Sequence, residues 1–210
     1  MKKHWHFLKP DPSIVKKLSR NLNCHPVTAA VLANRNILTA SDAGDFLTVS
    51  LNNLRPPSSL IDMEAAVDRI YAAIKGKQKI LIFGDYDVDG VTSTVILLDF
   101  LHYAGADVSY YIPHRINEGY GILPQHVSHF VRPNKFNLII TADCGSASHQ
   151  AVKAANRFGI DMVITDHHNI GADIPPALAV INPKRHDCPA GLQNLAGVGV
   201  AFYLLICLRC

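Results

Sequence analysis

Four short apolar runs constrain this chain more than any other feature: residues 79–83 (KILIF), 138–142 (LIITA), 162–165 (MVIT) and 178–181 (LAVI). None alternates polar with apolar positions, so each predicts a strand buried on both faces. A fifth strand is predicted over 108–112. Between them lie segments of helical spacing. One over 63–74 sets Ala66, Ile70, Ala73 and Ile74 on one face, with Asp62 as its expected N-cap and Gly76 at its C-terminal end. Others run over 91–103, closed before Gly105, and over 147–158, stopped by Gly159. Buried strands separated by helices pair in parallel between two helix layers. The expected fold class is therefore α/β, with a doubly wound, mostly parallel sheet. Ligands in such sheets gather outside the carboxyl ends of the strands, where this chain reads GDYDVDG, TADCG and TDHH.

The first of these endings concentrates Asp85, Asp87 and Asp89 within five residues. Two carboxylates about 5 Å apart repel by roughly 3 kcal/mol at an effective dielectric near 20, so a positive partner is implied. If the strand stays extended through Asp89, its period of two sets all three carboxylates on one side, and Gly84 and Gly90 permit a tight turn into the next helix. Asp143 and the Asp166-His167-His168 run reach the same edge from two other strands. Hard carboxylates with imidazole are the ligand set of Mn²⁺ or Mg²⁺. An aspartate after a strand often only caps the next helix, and a lone histidine is often a hydrogen-bonded core residue. Agreement among three strand ends favours the metal site.

Other motif readings fail on their details. DYDVDG copies the first half of a calcium loop, but position twelve is Ile96 where a bidentate Glu is needed, and a strand precedes it instead of a helix. The turn lacks the Gly-Lys-Ser/Thr ending of a phosphate-binding loop. It also resembles the nucleophile motif of haloacid-dehalogenase-like phosphatases, with Asp87 attacking phosphorus and Asp89 as acid and base. That chemistry has no use for two histidines at another strand end.

At 210 residues, 49% hydrophobic and 18% charged, the chain can bury a substantial core. A net charge of +3 is only mildly basic, so any nucleic-acid surface must be local. Five irregularly spaced cysteines, at 24, 144, 188, 207 and 210, do not form a disulfide framework and suit a reducing compartment. Cys207-x-x-Cys210 has no second pair and reads as buried or incidental thiols. No secretory signal is recognised at the N-terminus. The longest apolar stretch, GVGVAFYLLICL, is far short of the ~20 residues that cross a bilayer, so the expectation is a soluble, cytoplasmic protein with no membrane partner. Residues 1–57 read as a small helical region, with Pro26 opening a helix over 27–33 and Ser41 capping one over 42–47. Arg55-Pro-Pro-Ser-Ser connects this region to a core over 58–210.

Taken in order, GDYDVDGVTST, LIITADCG, VITDHH and NLAGVGVAFYLL resemble the DHH phosphoesterase superfamily. The flanking SSLIDMEAAVDR, PHRINEGYG and NPKRHDCP resemble its single-strand-specific 5′→3′ DNA exonucleases. The resemblance implies single-stranded DNA as substrate, a role in DNA repair and recombination, and two Mn²⁺ or Mg²⁺ ions. Asp143 would bridge the ions, Asp85 and Asp87 would hold one, and Asp89 and His167 the other. How the three clustered aspartates divide stays open. His168 would contact the scissile phosphate or assist the leaving oxygen, with Asp166 orienting the pair. Arg115 and Tyr120 are candidate substrate contacts, for a phosphate and a base respectively; a surface ion pair and a plain turn are the competing reading. The superfamily pattern continues with a further aspartate, in a segment like ALGTVAD, and with two more domains. The chain ends at Cys210 within an expected helix, so it reads as an N-terminal fragment, with a core incomplete at its C-terminal end and little activity alone. Smaller enzymes of the superfamily, acting on oligonucleotides, cyclic dinucleotides or pyrophosphate, are alternatives, as is a non-catalytic nucleic-acid-binding module.

Overall fold

Five strands pair in parallel in the order β2-β1-β3-β4-β5: β1 (Lys79–Gly84), β2 (Asp107–Tyr111), β3 (Leu138–Ala142), β4 (Asp161–Thr165) and β5 (Ala179–Ile181). The structure is a computed structural model and describes residues 4–48 and 50–209. It divides into two compact units, Met1–Leu54 and Arg55–Cys210.

In the larger unit, α4 (Met63–Lys75), α5 (Val88–Tyr103) and α8 (Gly197–Arg209) cover one face of the sheet, and α7 (His149–Arg157) covers the other together with α6 (Pro124–His126) and the π-type turn Val127–Val131 that continues it. Alternation within β1 shows why its run is unbroken: Ile80 and Ile82 enter the first core, Leu81 and Phe83 the second. Fully burying each such side chain favours the folded state by about 1.5–3 kcal/mol. The doubly wound α/β sheet is thus as the apolar runs require, and among these five strands it is entirely parallel.

Two details of the unit differ from expectation. Asp62 stands at the N-cap position of α4 but makes no capping bond. Its Oδ2 instead accepts from Val180 N–H at 3.0 Å and from Arg185 Nη1 at 2.6 Å, so a buried guanidinium takes the carboxylate away from the helix end. The strand β1 stops at Gly84, and Asp87 begins α5 as its N-cap, with Oδ1 accepting from Gly90 N–H at 3.0 Å. The extended run through Asp89 is therefore not formed. Capping Gly90 and opening a helix satisfies backbone donors that an extended segment beyond the sheet would leave unpaired.

The smaller unit packs α1 (Pro12–Leu22), α2 (Pro26–Asn34) and α3 (Ala40–Leu47) around Leu18, Ala29, Leu32 and Ala43. Pro26 occupies the first turn of α2, as expected. The cap of α3 is Thr39, whose Oγ1 accepts from Asp42 N–H at 3.1 Å, and Ser41 lies inside the helix. No helix among the described residues is long and apolar enough to cross a membrane. Cys210 lies outside the described residues, and with it the Cys207-x-x-Cys210 pair.

Candidate active site

The strand order reverses between β1 and β3, and the loops that leave these two strands diverge to open a crevice. The backbone fixes three acids there in one row. Asp85 N–H donates to Ala142 O at 3.0 Å, Asp143 N–H to Thr165 O at 3.0 Å, and Asp166 N–H to Ile181 O at 3.1 Å. Each is the first residue past its strand and donates to the last carbonyl of the next one, so the parallel ladder itself sets their spacing. All three are buried.

Two groups of ligand atoms form on this row, each with all members within 4.8 Å of one another: Asp85, Asp87 and Asp143 in one, Asp143, His167 and His168 in the other. Asp143 belongs to both. Its Oδ1 lies 3.2 Å from His167 Nε2 and 3.9 Å from His168 Nδ1. Asp89 Oδ2 is 3.5 Å from His167 Nε2, although Asp89 is in neither group. Helical geometry brings Asp87 and Asp89 to the rim by different routes: Asp87 from the cap of α5, Asp89 from its first turn.

The carboxylates are short of partners. Neither oxygen of Asp143 nor Oδ1 of Asp85 has a hydrogen bond, a costly arrangement for buried acceptors. Burial pushes the Asp143 carboxyl up to about 8, and the neighbouring Asp89 charge pushes the same way. Burial also raises Asp85, against a backbone bond from Tyr86. Asp143 has in addition a left-handed backbone, φ 64°, which a non-glycine residue adopts at some energetic cost. Orphaned, crowded carboxylate oxygens beside imidazole nitrogens fit a divalent cation, which would satisfy the oxygens and reverse their repulsion.

Asp166 differs from them. Burial alone would raise it, but bonds from His168 and Ser146 outweigh burial and hold it below the usual carboxylate range. Its Oδ1 accepts from His167 N–H at 2.7 Å, His168 N–H at 3.0 Å and His168 Nδ1 at 2.8 Å; Oδ2 accepts from Ser146 N–H at 2.9 Å. The Asp166 bond in turn raises His168 above its ordinary value. The rings of Tyr120 and His168 meet in a T-shaped contact with centroids 5.6 Å apart, and the Tyr120 hydroxyl lies 3.1 Å from His168 Nδ1. Arg115 is exposed and stacks on the Tyr86 ring at 5.2 Å; it has no hydrogen bond to the acidic row among the described residues.

Three supports were not found from sequence. Both oxygens of Asp89 accept backbone N–H groups at the start of α8, from Gly197 and Val198, at 2.7 Å each. A Cβ at Gly197 would overlap Asp143 Oδ1, so only glycine lets this helix end approach the row. Asn182 Nδ2 ties Ser146 Oγ at 2.7 Å to the His168 carbonyl at 3.0 Å. The small-residue run LAGVGV and the Asn182-Pro183 pair were the available signals. Gly90 likewise serves close approach and not an unusual φ: a Cβ there would strike the Asp85 backbone.

Residues 79–209 match the DHH family, N-terminal domain. The single-stranded-DNA-specific exonuclease RecJ of Bacillus subtilis is 41% identical over 203 residues, covering 97% of this chain and 26% of the relative. A crystal structure of exonuclease RecJ bound to manganese aligns with TM-score 0.66 and 36% identity, over 71% of this chain and 38% of that one. RecJ from Thermus thermophilus in complex with Mn²⁺ aligns with TM-score 0.70 and 27% identity, over 95% of this chain and 27% of that one. The chain thus spans about a quarter of the B. subtilis relative. With the matched region running from the first residue of β1 to the end of α8, through every residue of the acidic row, the chain belongs to the DHH family.

Proposed function

We propose that this chain carries the metal-dependent phosphodiesterase centre of a single-strand-specific 5′→3′ DNA exonuclease acting in DNA repair and recombination in the cytoplasm. The observation that supports it most directly is Asp143, shared between two ligand groups and without a hydrogen bond on either carboxylate oxygen. The activity for which the relatives are named, single-stranded-DNA-specific exonuclease, and the Mn²⁺ and Mg²⁺ of their structures support the substrate and the metals.

In this reading Asp85, Asp87 and Asp143 would hold one ion; Asp143 and His167, with Asp89 beside them, would hold the other. Bound Mn²⁺ or Mg²⁺ would lower the pKa of a water and draw charge from the phosphate oxygens. The chain's own residues supply orientation and a proton. Asp89, fixed by the α8 N–H groups, holds its carboxylate toward His167. His168 keeps its Nδ1 proton on Asp166 and gives one from Nε2 to the departing oxygen. Tyr120 steadies the His168 ring, and Arg115 receives a phosphate from beside Tyr86. Residues 1–57 would form a separate helical region preceding the catalytic core.

The test is hydrolysis of a 5′-labelled single strand, its 3′-labelled counterpart and a dinucleotide with Mn²⁺, using Asp143→Ala as the control. Slow release from the 5′ end by the native chain, as suits a chain with little activity alone, and none by the variant is expected. Equal hydrolysis by Asp143→Ala would remove the acidic row from the chemistry.

A further inference from the structure

The smaller unit carries an unneutralised cationic face beside an apolar groove. Through Leu54 the sequence holds seven Lys and Arg against three Asp and no Glu. Lys16 and Arg20 stand four residues apart on α1, so they share one face, and Lys17 adds to it. Among the described residues none of Lys9, Lys16, Lys17 or Arg20 forms an ion pair. Like charges at this spacing disfavour the helix slightly unless an anion lies over them.

The same residues rim an open groove of about 660 Å³. Leu8, Val15 and Pro26 give it an apolar floor, and Lys9, Lys16 and Arg20 line its edge with no acidic residue. Just before it in the chain, Trp5 and Phe7 are 85% and 76% exposed. Cations at the rim, an apolar floor and adjacent exposed rings make the pairing that a single-stranded nucleic acid requires: a charged backbone outside, unstacked bases inside. A folded protein partner could also cover the rings, but it would need acidic side chains matched to each cation of the rim, which a phosphate backbone supplies along its whole length. A duplex offers the charge but keeps its bases stacked.

We infer that the Lys9–Lys16–Arg20 groove of the N-terminal unit is a second contact for single-stranded DNA, separate in sequence from the acidic row. The choice of DNA as the polyanion rests on the function proposed above. The groove would hold strand and take no part in hydrolysis.

Trp5 is the only tryptophan and so reports on this unit alone. The full chain is titrated in EDTA with an oligo-dT about twenty nucleotides long while Trp5 emission is followed. Saturable quenching is expected, with a log–log salt slope of about 0.7 per phosphate contact. Lys16→Glu with Arg20→Glu should weaken binding at least tenfold and flatten the slope by about 1.4. Lys16→Arg with Arg20→Lys should bind as the native chain, and circular dichroism checks that both pairs fold. Asp143→Ala should leave quenching unchanged. Absent quenching, equal binding by the charge-reversed pair, or equal quenching by a duplex of the same length overturns the inference. Quenching as expected, together with Mn²⁺-dependent hydrolysis by Asp143→Ala equal to that of the native chain, would overturn the nuclease reading and leave this contact standing.

Discussion

Replacing Asp143 by Asn should stabilise the metal-free protein. The Asp143 carboxyl sits at about 8 against an ordinary 3.8, which at about 1.4 kcal/mol per pH unit disfavours its ionised form by about 6 kcal/mol, of which about 5 kcal/mol is felt at pH 8, where the folded group is half ionised. The sign follows from the direction of the shift. A carboxyl raised in the folded state stabilises the fold, relative to its ionised form, below pH 3.8, and that stability is lost as pH rises toward 8. Metal-free native protein should therefore lose stability between about pH 4 and pH 8. Asn carries no charge to lose, but it leaves a buried amide without full hydrogen bonding at a cost of about 1–3 kcal/mol. The net gain at pH 8 is about 2–4 kcal/mol. Urea unfolding in EDTA across this pH range, native against Asp143→Asn, measures it. With Mn²⁺ in excess the order should reverse, because binding stabilises only the chain that retains the ligand. A variant less stable than the native chain in EDTA at pH 8, together with a flat native pH profile, would refute the claim that crowding without a cation is costly here.

Three further outcomes follow from the same geometry. Gly197→Ala places a methyl on Asp143 Oδ1; it should cost about 1–3 kcal/mol of stability and, by moving the helix end that holds Asp89, weaken Mn²⁺ affinity at least about tenfold, both measurable by calorimetry. Arg185→Ala leaves Asp62 and Asp187 without the guanidinium that pairs them at 2.6 and 2.8 Å; urea unfolding should show a loss of about 3 kcal/mol, the low end for a broken buried pair because both carboxylates keep contact with solvent. His168 is raised chiefly by its Asp166 bond and opposed by burial, so the stability from this pairing is complete below the ordinary histidine value and lost as pH rises through the raised one. In Asp166→Asn, the His168 proton resonance in EDTA should titrate at lower pH than in the native chain, and an unchanged midpoint would remove Asp166 as its orienter.

Much of this arrangement was legible in the sequence because strands buried between two helix layers are apolar on both faces, and three of the strands, β1, β3 and β4, are followed at once by an acid. Leu138–Ala142 is the predicted strand without change, and the edges of β1, β4 and β5 differ by one residue. The convergence of Asp85, Asp143 and Asp166 needed only the rule that ligands gather at carboxyl ends. The path of the chain after Gly84 was not legible: Asp-x-Asp-x-Asp has the period of a strand, while the decision lies in a cap bond between Asp87 and Gly90. Nor was the partnership of Asp89 with the start of α8, 108 residues away, which depends on the absence of a side chain at Gly197. From sequence, Tyr120 reads as a contact for a base. Its hydroxyl lies against His168, 48 residues on, a contact set by how the loop after β2 folds back.

A count of bound Mn²⁺ ions tests whether Asp143 joins two metal sites. Calorimetry with parallel paramagnetic resonance on the native chain should find two ions per molecule with magnetically coupled spectra, and Asp143→Ala should lose the coupling and at least one of the ions. A single uncoupled ion, or two whose binding ignores the loss of Asp143, would contradict a centre shared through that carboxylate.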